Sequence, residues 1–419
     1  MDIAFHYFAV KTLAVLAGFS DDDAQVIAQN SQMVDDFDFT CYWHCTNVPD
    51  YIKDNKDYDL CVLGGFYFNP AQTGFLCDGL LGYTDYVNLV IHRFQQYTCA
   101  PFHFIPPERS MVGEKEYRVA PAVLGDESII SQLLEQAKNE YRAVADETVR
   151  HRKLMKLGVL LHIFADTVAH QLFSGFNANV NLVGLVNVTN NITGADETAV
   201  YKSKIQKYLK LLSSWVPKIT PAIGHMMIEH VPDLTHLSFT MEYKGDNDQK
   251  HRYTRSNTAE FIQMSKQILD FMCDCYGSPR FEEKRWQDAR DKLRTAFLTD
   301  ISKDKDQRQT VEHLKSVWRE LHVCTYDYDG EALKKAFAQG NAAIKTLALA
   351  NANGMGDISL DYKLSATDMK LLGIDMSDGG EGALPDSSLS TKASADFYNF
   401  NVIADEILIA LYGPHPRKL

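Results

Sequence analysis

Apolar residues recur at helical spacing along most of the chain. Between residues 3 and 17 the intervals are close to three and four, the period of an amphipathic helix: Ile3, Phe5, Phe8, Val10, Leu13 and Leu16. Gly18 is typical of the end of that helix, and Ser20 with Asp23 is typical of a capped, acidic start of the next, over about 21–36. The same periodicity predicts further helices over about 126–147, 149–172, 197–214, 220–230, 256–276, 280–299, 307–321, 330–350 and 395–412.

Strand signals are few. Residues 236–244 and 251–255 alternate in polarity well enough to predict a small hairpin. Residues 37–125 contain many glycines and prolines, so we expect a loop-rich stretch with a short helix near 83–96. No period of about 20–50 residues repeats, which excludes a solenoid.

These elements predict a mainly α fold with a loop-rich insertion and a C-terminal add-on. The expected helical domain covers 1–299. Extra helices and a flexible insert rich in Gly, Ser and Asp follow over 300–394, and a C-terminal helix over 395–419 is expected to pack back on the domain.

Charge and composition reduce the number of function classes that fit the chain. The 419 residues include 55 Asp and Glu against 42 Lys and Arg, a net charge of −13. Stable nucleic-acid binding is not expected, because gripping phosphates over a surface needs a basic face. A local site could still hold a phosphate through metal ions.

The sequence also bears on location. No apolar run reaches about 18 residues, so no transmembrane helix is expected. The N-terminal stretch has Asp2 and His6 where a signal peptide has basic residues, and it lacks a convincing cleavage site. The 8 cysteines form no CxxC pair, which favours a reduced protein. We therefore expect a cytoplasmic protein, or one exported without a signal peptide.

The most informative segment carries His162, Asp166 and His170 at intervals of four residues. On one helix these side chains share a face, about 6 Å apart along the axis. Their neighbours are apolar, and buried polar groups in such a helix need partners. Imidazole nitrogens and carboxylate oxygens are both zinc ligands, so a bound divalent cation would satisfy all three.

Other candidate ligands lie in separate segments, as a metal site between packed helices requires. They are His6 on the first helix, Asp35 and Asp36 at the end of the second, His103 between prolines, His225 and Glu229 at a spacing of four, and Asp233 and His236 just beyond. A di-iron site in a helical bundle is disfavoured, because such sites use ExxH pairs and few are suitably placed.

The order of these residues resembles the zinc-dependent phospholipase C superfamily, which also contains the single-strand-specific zinc nucleases. The pattern of His162, Asp166 and His170 is closest to the branch of glycosylphosphatidylinositol-specific phospholipase D. The phospholipase C and nuclease branches place five residues between the Asp and the second His, where this chain has three. The resemblance covers roughly residues 1–240.

The resemblance implies an all-α fold and a cluster of two or three Zn²⁺ ions that cleaves phosphodiesters. In that scheme Asp35 or Asp36, His103, His162 and Asp166 hold the first zinc, and Asp166 bridges to a second held by His6. His170, His225 and Glu229 hold a third, with Asp233 competing with Glu229 for that role. The resemblance also implies catalytic roles for Asp166 and for Asp35 or Asp36. The carboxylate at 35 or 36 would be the base that orients the attacking water.

The N-terminus enters through the same resemblance. In the zinc nucleases and phospholipases C, the first residue of the mature chain binds a metal through its amine and carbonyl, close to the first His. Here Asp2 is too large for normal methionine removal, so Met1 is expected to remain. We therefore expect the Met1 amine and carbonyl to join His6 on one zinc.

The resemblance implies a zinc-dependent phosphoric ester hydrolase with a phosphoester substrate, phospholipid being one candidate. A phospholipid substrate would bring transient contact with a membrane surface. Three alternatives stay open: a single-strand nuclease of the same fold, a phosphomonoesterase of the same fold, and a non-catalytic interaction protein stabilised by its metals. The sequence leaves the oligomeric state open.

Overall fold

The structure is a computed structural model. It describes residues 1–37, 73–74, 95–215, 223–245, 249–279, 281–301, 304, 306–330, 332–333 and 391–413. The protein is mainly helical, as predicted, and a small antiparallel sheet accompanies the helices. The chain forms two compact units, of which the first comprises Met1–Val34 and Leu76–Tyr328, and the second Asp35–Phe75 and Asp329–Leu419.

The helices agree closely with the apolar periodicity. The chain begins with a π-helical segment, Ala4–Ala9, which continues directly into α1, Val10–Ala17. The helices that follow in the first unit are α2 (Asp21–Asp36, whose last two residues fall in the second unit), α3 (Ile129–Ala143), α4 (Glu147–Ala169), α5 (Thr198–Trp215), α6 (Asn257–Tyr276), α7 (Glu283–Phe297) and α8 (Gln307–Arg319). Shorter helical turns occur at Gln95–Cys99, Ala100–Phe102, Arg109–Met111, Asn179–Asn181 and Met226–Ile228.

The predicted helix boundary between α1 and α2 is confirmed. Gly18 takes a left-handed φ of +115°, which glycine adopts at little cost, and ends α1. The backbone N–H of Asp23 donates to Ser20 Oγ at 3.1 Å, which is the expected cap at the start of α2.

The sheet has the order β1-β2-β3, with β1 at Gly184–Asn190, β2 at Leu237–Lys244 and β3 at Lys250–Ser256. The hairpin of β2 and β3 is the predicted one, and Phe239 pairs with Arg255 across it. Strand β1 was not predicted; it pairs with β2, with a register shift between Leu185 and Asn187.

The helix predicted over 220–230 is wrong for the part that the structure describes. Residues 223–230 contain only the short 3-10 turn Met226–Ile228. Gly224 and Glu229 have φ values of +52° and +53°, which interrupt helical geometry on both sides of that turn. The segment is therefore a folded loop.

The core of the first unit forms around the N-terminal helix. The ring of Phe5 stacks on Phe297 with centroids 5.8 Å apart, and Phe8 contacts Trp318 and Tyr326. Trp318 and Tyr326 are completely buried. Residues from 300 to 328, expected to belong to an add-on, are thus part of the first unit, because their aromatic side chains complete its core.

A close contact between two helices positions the segment that carries His162, Asp166 and His170. Gly158 lies on α4, one turn before His162, and a Cβ atom at position 158 would overlap the backbone carbonyl oxygen of Ile27 on α2. Only glycine allows the backbones of α2 and α4 to approach this closely.

The described part of the second unit includes α9, Thr391–Tyr412, which confirms the helix predicted near 395–412. Within this unit the rings of Phe37 and Phe400 lie 4.5 Å apart. Most of the predicted helices at 83–96 and 330–350, and the insert up to residue 390, lie outside the described residues. Among the residues that are described, no helix has the length and hydropathy needed to cross a membrane.

Candidate metal centre

Asp166 lies at the centre of a buried group of imidazoles. His162 Nε2 is 3.1 Å from Asp166 Oδ2, one helical turn away on α4. His170 follows the last residue of α4, but its backbone N–H still donates to the carbonyl of Asp166 at 2.8 Å, so the spacing of four is kept. The three predicted side chains therefore face one direction, as the sequence pattern required.

Two histidines from distant segments approach the same carboxylate. His6 Nε2 lies 3.1 Å from Asp166 Oδ1, and His103 Nδ1 lies 3.2 Å from Asp166 Oδ2. The rings of His6 and His162 stack with centroids 3.8 Å apart. One ligand atom each of His6, His162 and Asp166 lies within 4.8 Å of the other two, a spacing suited to a metal ion. His6 belongs to the π-helical segment, a geometry that recurs at functional sites.

The N-terminal amine enters this cluster. The Met1 nitrogen is buried, 2.5 Å from Asp166 Oδ1 and 3.5 Å from Asp233 Oδ1. It therefore lies between the two carboxylates and next to His6, where the resemblance placed it.

A second cluster forms around Asp233. His170 Nε2 lies 3.2 Å from Asp233 Oδ1, and His225 Nε2 lies 3.3 Å from Asp233 Oδ2. Ligand atoms of His170, His225 and Asp233 all lie within 4.8 Å of one another. His170 also contacts Asp166 at 3.5 Å through Nδ1, so this residue connects the two clusters.

Backbone carbonyls orient the imidazoles of the second cluster. His170 Nδ1 donates to the carbonyl of His103 at 2.6 Å, and His225 Nδ1 donates to the carbonyl of Glu229 at 2.7 Å. In a neutral imidazole the other nitrogen, Nε2, then carries a lone pair. That lone pair faces the oxygens of Asp233, which also only accept when the carboxylate is ionised.

The protonation states match metal ligation. Burial lowers the pKa of His225 and of His162 to about 4, and lowers the pKa of His6 well below its usual value. Burial alone would raise the pKa of Asp166, but the surrounding imidazoles and the Met1 amine outweigh it and hold the pKa well below the usual range. Asp233 follows the same pattern, with His225 as its strongest partner. Neutral imidazoles and ionised carboxylates are the forms that bind metals.

Glu229 is not brought to the site as predicted. Its backbone carbonyl accepts from His225, while the carboxylate beside His225 Nε2 belongs to Asp233. The prediction assumed a helix that would align His225 with Glu229, and the positive φ of Glu229 breaks that alignment. Asp233 is therefore the acid that the folded loop places in the cluster.

The three other predicted residues are Asp35, Asp36 and His236. Asp35 and Asp36 form the end of α2, the first half-buried and the second buried, and they belong to the second unit. His236 is completely buried, and its Nε2 lies 3.5 Å from Asp300 Oδ1.

Sequence reasoning assigned no role to His230. Its Nδ1 lies 3.4 Å from Asp233 Oδ2, and its side chain is 69% exposed, unlike those of the other imidazoles. Its position three residues before Asp233 was the available signal. The helix predicted over 220–230 separated the two residues, so they were not considered together. His230 opens the second cluster to solvent.

Comparison with known proteins places the chain in a family. A search of curated proteins and a search of solved structures each found no match. A scan against protein families matches residues 1–405 to the family described as "Family of unknown function (DUF6765)". Because this match covers nearly the whole chain, the protein belongs to the DUF6765 family.

Proposed function

We propose that this protein is a zinc-dependent hydrolase that cleaves a phosphodiester in a phospholipase C-like reaction. The observation that carries the proposal is the contact between His225 and Asp233. A neutral imidazole nitrogen and a carboxylate oxygen, both acceptors, lie 3.3 Å apart in a buried site. Two acceptors at this distance repel each other unless a cation lies between them.

The separations fit zinc. Bonds of about 2.0–2.2 Å at tetrahedral angles place neighbouring ligand atoms about 3.3–3.6 Å apart. The contacts of His170 and His225 with Asp233, at 3.2 and 3.3 Å, are close to that range. Histidine nitrogens mixed with carboxylate oxygens also suit zinc better than they suit calcium or magnesium, which take mostly oxygen ligands.

The proposed ligand sets follow the clusters. His103, His162 and Asp166 would hold one ion, with Asp35 or Asp36 as the fourth ligand that the resemblance implies. Asp166 would be shared with a second ion held by His6 and Met1. His170, His225 and Asp233 would hold a third, Asp233 taking the place first given to Glu229.

Bound zinc would supply a Lewis acid and the positive charge that an acidic protein otherwise lacks for a phosphoester. The chain's own residues would orient the reactants. The carbonyls of His103 and Glu229 accept from His170 and His225 and so fix the orientations and tautomers of these imidazoles. A carboxylate at 35 or 36 would accept the proton of the attacking water. The exposed edge at His230 is the side from which we expect substrate to enter.

The substrate class rests on charge. A net charge of −13 disfavours long polynucleotides, so we place a small or lipid phosphodiester ahead of a single-strand nuclease substrate. A phosphomonoester would use the same ligands. Transient contact with a membrane surface belongs to the lipid case.

A second candidate is a non-catalytic protein whose metals stabilise the helices. The complete burial of His6, His162 and Asp166 favours it, because structural zinc sites are closed whereas catalytic sites keep an open position. The exposure of His230 favours catalysis at the other cluster.

Metal content and turnover separate these candidates. The purified chain is assayed for zinc by elemental analysis and for hydrolysis of bis(p-nitrophenyl) phosphate, p-nitrophenyl phosphate and a single-stranded oligonucleotide. We expect bound zinc with turnover of the diester. In Asp166→Asn we expect loss of turnover and of the two zinc ions that would share this carboxylate. Asp291→Asn, an exposed acid on α7, is the control. Zinc without turnover would support the structural candidate, and a chain without zinc would refute both.

A further inference from the structure

Arg255, the penultimate residue of β3, is a buried cation that holds two backbone carbonyls at once. Its Nη1 donates to the carbonyl of Val168 at 2.5 Å, and its Nη2 donates to the carbonyl of Pro232 at 2.6 Å. Val168 lies between Asp166 and His170 in the chain, and Pro232 directly precedes Asp233. One guanidinium therefore ties the turn that carries His170 to the loop that carries Asp233.

Asn257, the first residue of α6, adds further hydrogen bonds to the same loop. Arg255 Nε donates to Asn257 Oδ1 at 2.8 Å, and Asn257 Nδ2 donates to the carbonyls of Val231 and Leu234 at 2.8 Å each. The side chain of Asn257 is completely buried. The carbonyls on both sides of Asp233 are thus held from the junction of β3 and α6.

Burying the charged guanidinium of Arg255 costs free energy, so its presence here indicates that the protein needs these hydrogen bonds. Arg255 is only 4% exposed, and its guanidinium lies 5.1 Å from the ring centre of Phe239 and 6.0 Å from that of Phe261. A buried cation needs full compensation by hydrogen bonds. A planar fork with fixed donor directions fixes the distance between two acceptors, which a flexible ammonium does not.

We propose that Arg255 and Asn257 are positioning residues for the cation held by His170, His225 and Asp233. They fix the separation of the α4 end and the 231–234 loop, so that His170 and Asp233 reach the same ion. This inference rests on the proposed metal centre and deepens it, because it names what sets the affinity of one site within the cluster.

The test compares two arginines of the same strand. Arg255→Gln removes the fork, while Arg252→Gln removes an exposed arginine that pairs with Glu242 on β2. Zinc per chain is measured by elemental analysis, and zinc affinity by competition with a chromogenic chelator. We expect Arg255→Gln to weaken one zinc site by about 10- to 100-fold, the usual effect of losing an outer-shell partner, and Arg252→Gln to match the wild type.

A purely structural role predicts a different result. It would lower the Tm of the zinc-free and zinc-loaded chains equally. The positioning role predicts that the rise in Tm on adding zinc becomes smaller in Arg255→Gln. Arg255→Lys, which keeps the charge without the fork, should show the same loss. Asn257→Ser, a milder change, provides the readout if Arg255→Gln does not fold.

Combination with His170→Ala completes the test. If Arg255 acts through this site, its substitution should weaken zinc binding no further once His170 is gone. Wild-type zinc number and affinity in Arg255→Lys and Asn257→Ser would overturn the inference and leave the proposed function standing. A wild-type chain without zinc would instead refute the proposed function itself.

Discussion

Asp166 is surrounded by more nitrogen atoms than the two oxygens of one carboxylate can accept hydrogen bonds from. Nitrogens of Met1, His6, His103, His162 and His170 lie within 3.5 Å of its two oxygens. His162 Nε2 and His103 Nδ1 are also 3.3 Å from each other, although only one of the pair can donate. Side chains crowded in this way could hold a shared cation, as we propose, since hydrogen bonds alone leave acceptor facing acceptor.

The Met1 amine belongs to this group, and its position makes a sharp prediction. An added N-terminal segment turns the amine into an amide, which cannot ligate a metal or carry charge, and must fit where Met1 is 6% exposed. We expect a chain extended by Gly-Ser before Met1 to lose the zinc ion that His6 and Met1 would hold, and most of its turnover. Zinc content and diesterase activity are compared with a chain that carries the same residues after Leu419.

Equal zinc and equal activity in the two extended chains would remove Met1 from the ligand set. The remaining ligands do not depend on it, because the His170, His225 and Asp233 cluster is complete without the amine.

At the level of secondary-structure elements, the local pattern of apolar residues was enough to predict most of the helices. The helices with clear apolar periodicity, such as α2 and α4, agree with their predicted ranges within a few residues. The face shared by His162, Asp166 and His170 was predictable for the same reason, because spacing within one helix fixes direction.

Two elements could not be predicted locally. Strand β1 has a mixed pattern, and its formation depends on pairing with β2, about fifty residues later in the chain. The loop after Gly224 has a helical spacing of His225 and Glu229, but the positive φ of Glu229 breaks the helix. Beyond it, Arg255 and Asn257 hold the carbonyls on both sides of Asp233. The exchange of Glu229 for Asp233 follows from this non-local control.

The close contact of α2 and α4 is testable through Gly158. Replacing an interior helix glycine by alanine ordinarily stabilises a helix by up to about 1 kcal/mol. Here the added methyl group would overlap the carbonyl of Ile27. We expect Gly158→Ala to lower the free energy of unfolding in urea by about 1–3 kcal/mol, the usual cost of overpacking.

Gly184→Ala is the matched control, because a Cβ at that position meets no atom within 4 Å. If Gly158→Ala were as stable as Gly184→Ala, the two helices would not be as closely packed as described.

A charge network ties α3 to α4. Glu140 accepts from Lys153 Nζ at 2.7 Å and from Lys156 Nζ at 3.0 Å. Burial acts to raise the pKa of Glu140, but these lysines and Gln136 outweigh it and lower the pKa to about 2. A carboxyl with a depressed folded pKa contributes stability above its unfolded pKa of 4.5, and the contribution is lost as the pH falls toward 2.

We therefore expect Glu140→Gln to be less stable than the wild type at pH 7, by about 1 kcal/mol once solvent screening is allowed for. The difference should shrink as the pH falls from 4.5 toward 2, where wild-type Glu140 becomes protonated. Urea unfolding across that range measures it, with the exposed Glu114→Gln as control. A difference that does not change with pH would mean that packing, and not charge, accounts for Glu140.

For the whole molecule, the candidate ligands connect segments that are far apart in sequence. Residues 1–6, 103, 162–170 and 225–233 converge in the first unit, and their ionised carboxylates gather negative charge in a protein that is already acidic. Without a bound cation, burial of these charges opposes folding. Any ion that binds only the folded chain therefore stabilises it.

Metal removal should in consequence destabilise the protein as a unit. At free zinc about 100 times the Kd, a single site adds about 2.7 kcal/mol to the free energy of unfolding. We expect a chelator such as EDTA to lower the Tm measured by calorimetry, and added zinc to restore it. Asp166→Asn should respond less to both than the wild type does, because the ligand that two of the three proposed ions share is gone. If the chelator left the wild-type Tm unchanged at a zinc content shown to have fallen to zero, the clusters would be satisfied by protons and side chains alone. The acceptor-to-acceptor contact of His225 with Asp233 would then have to be held by protonation of the imidazole, against the direction in which burial moves its pKa.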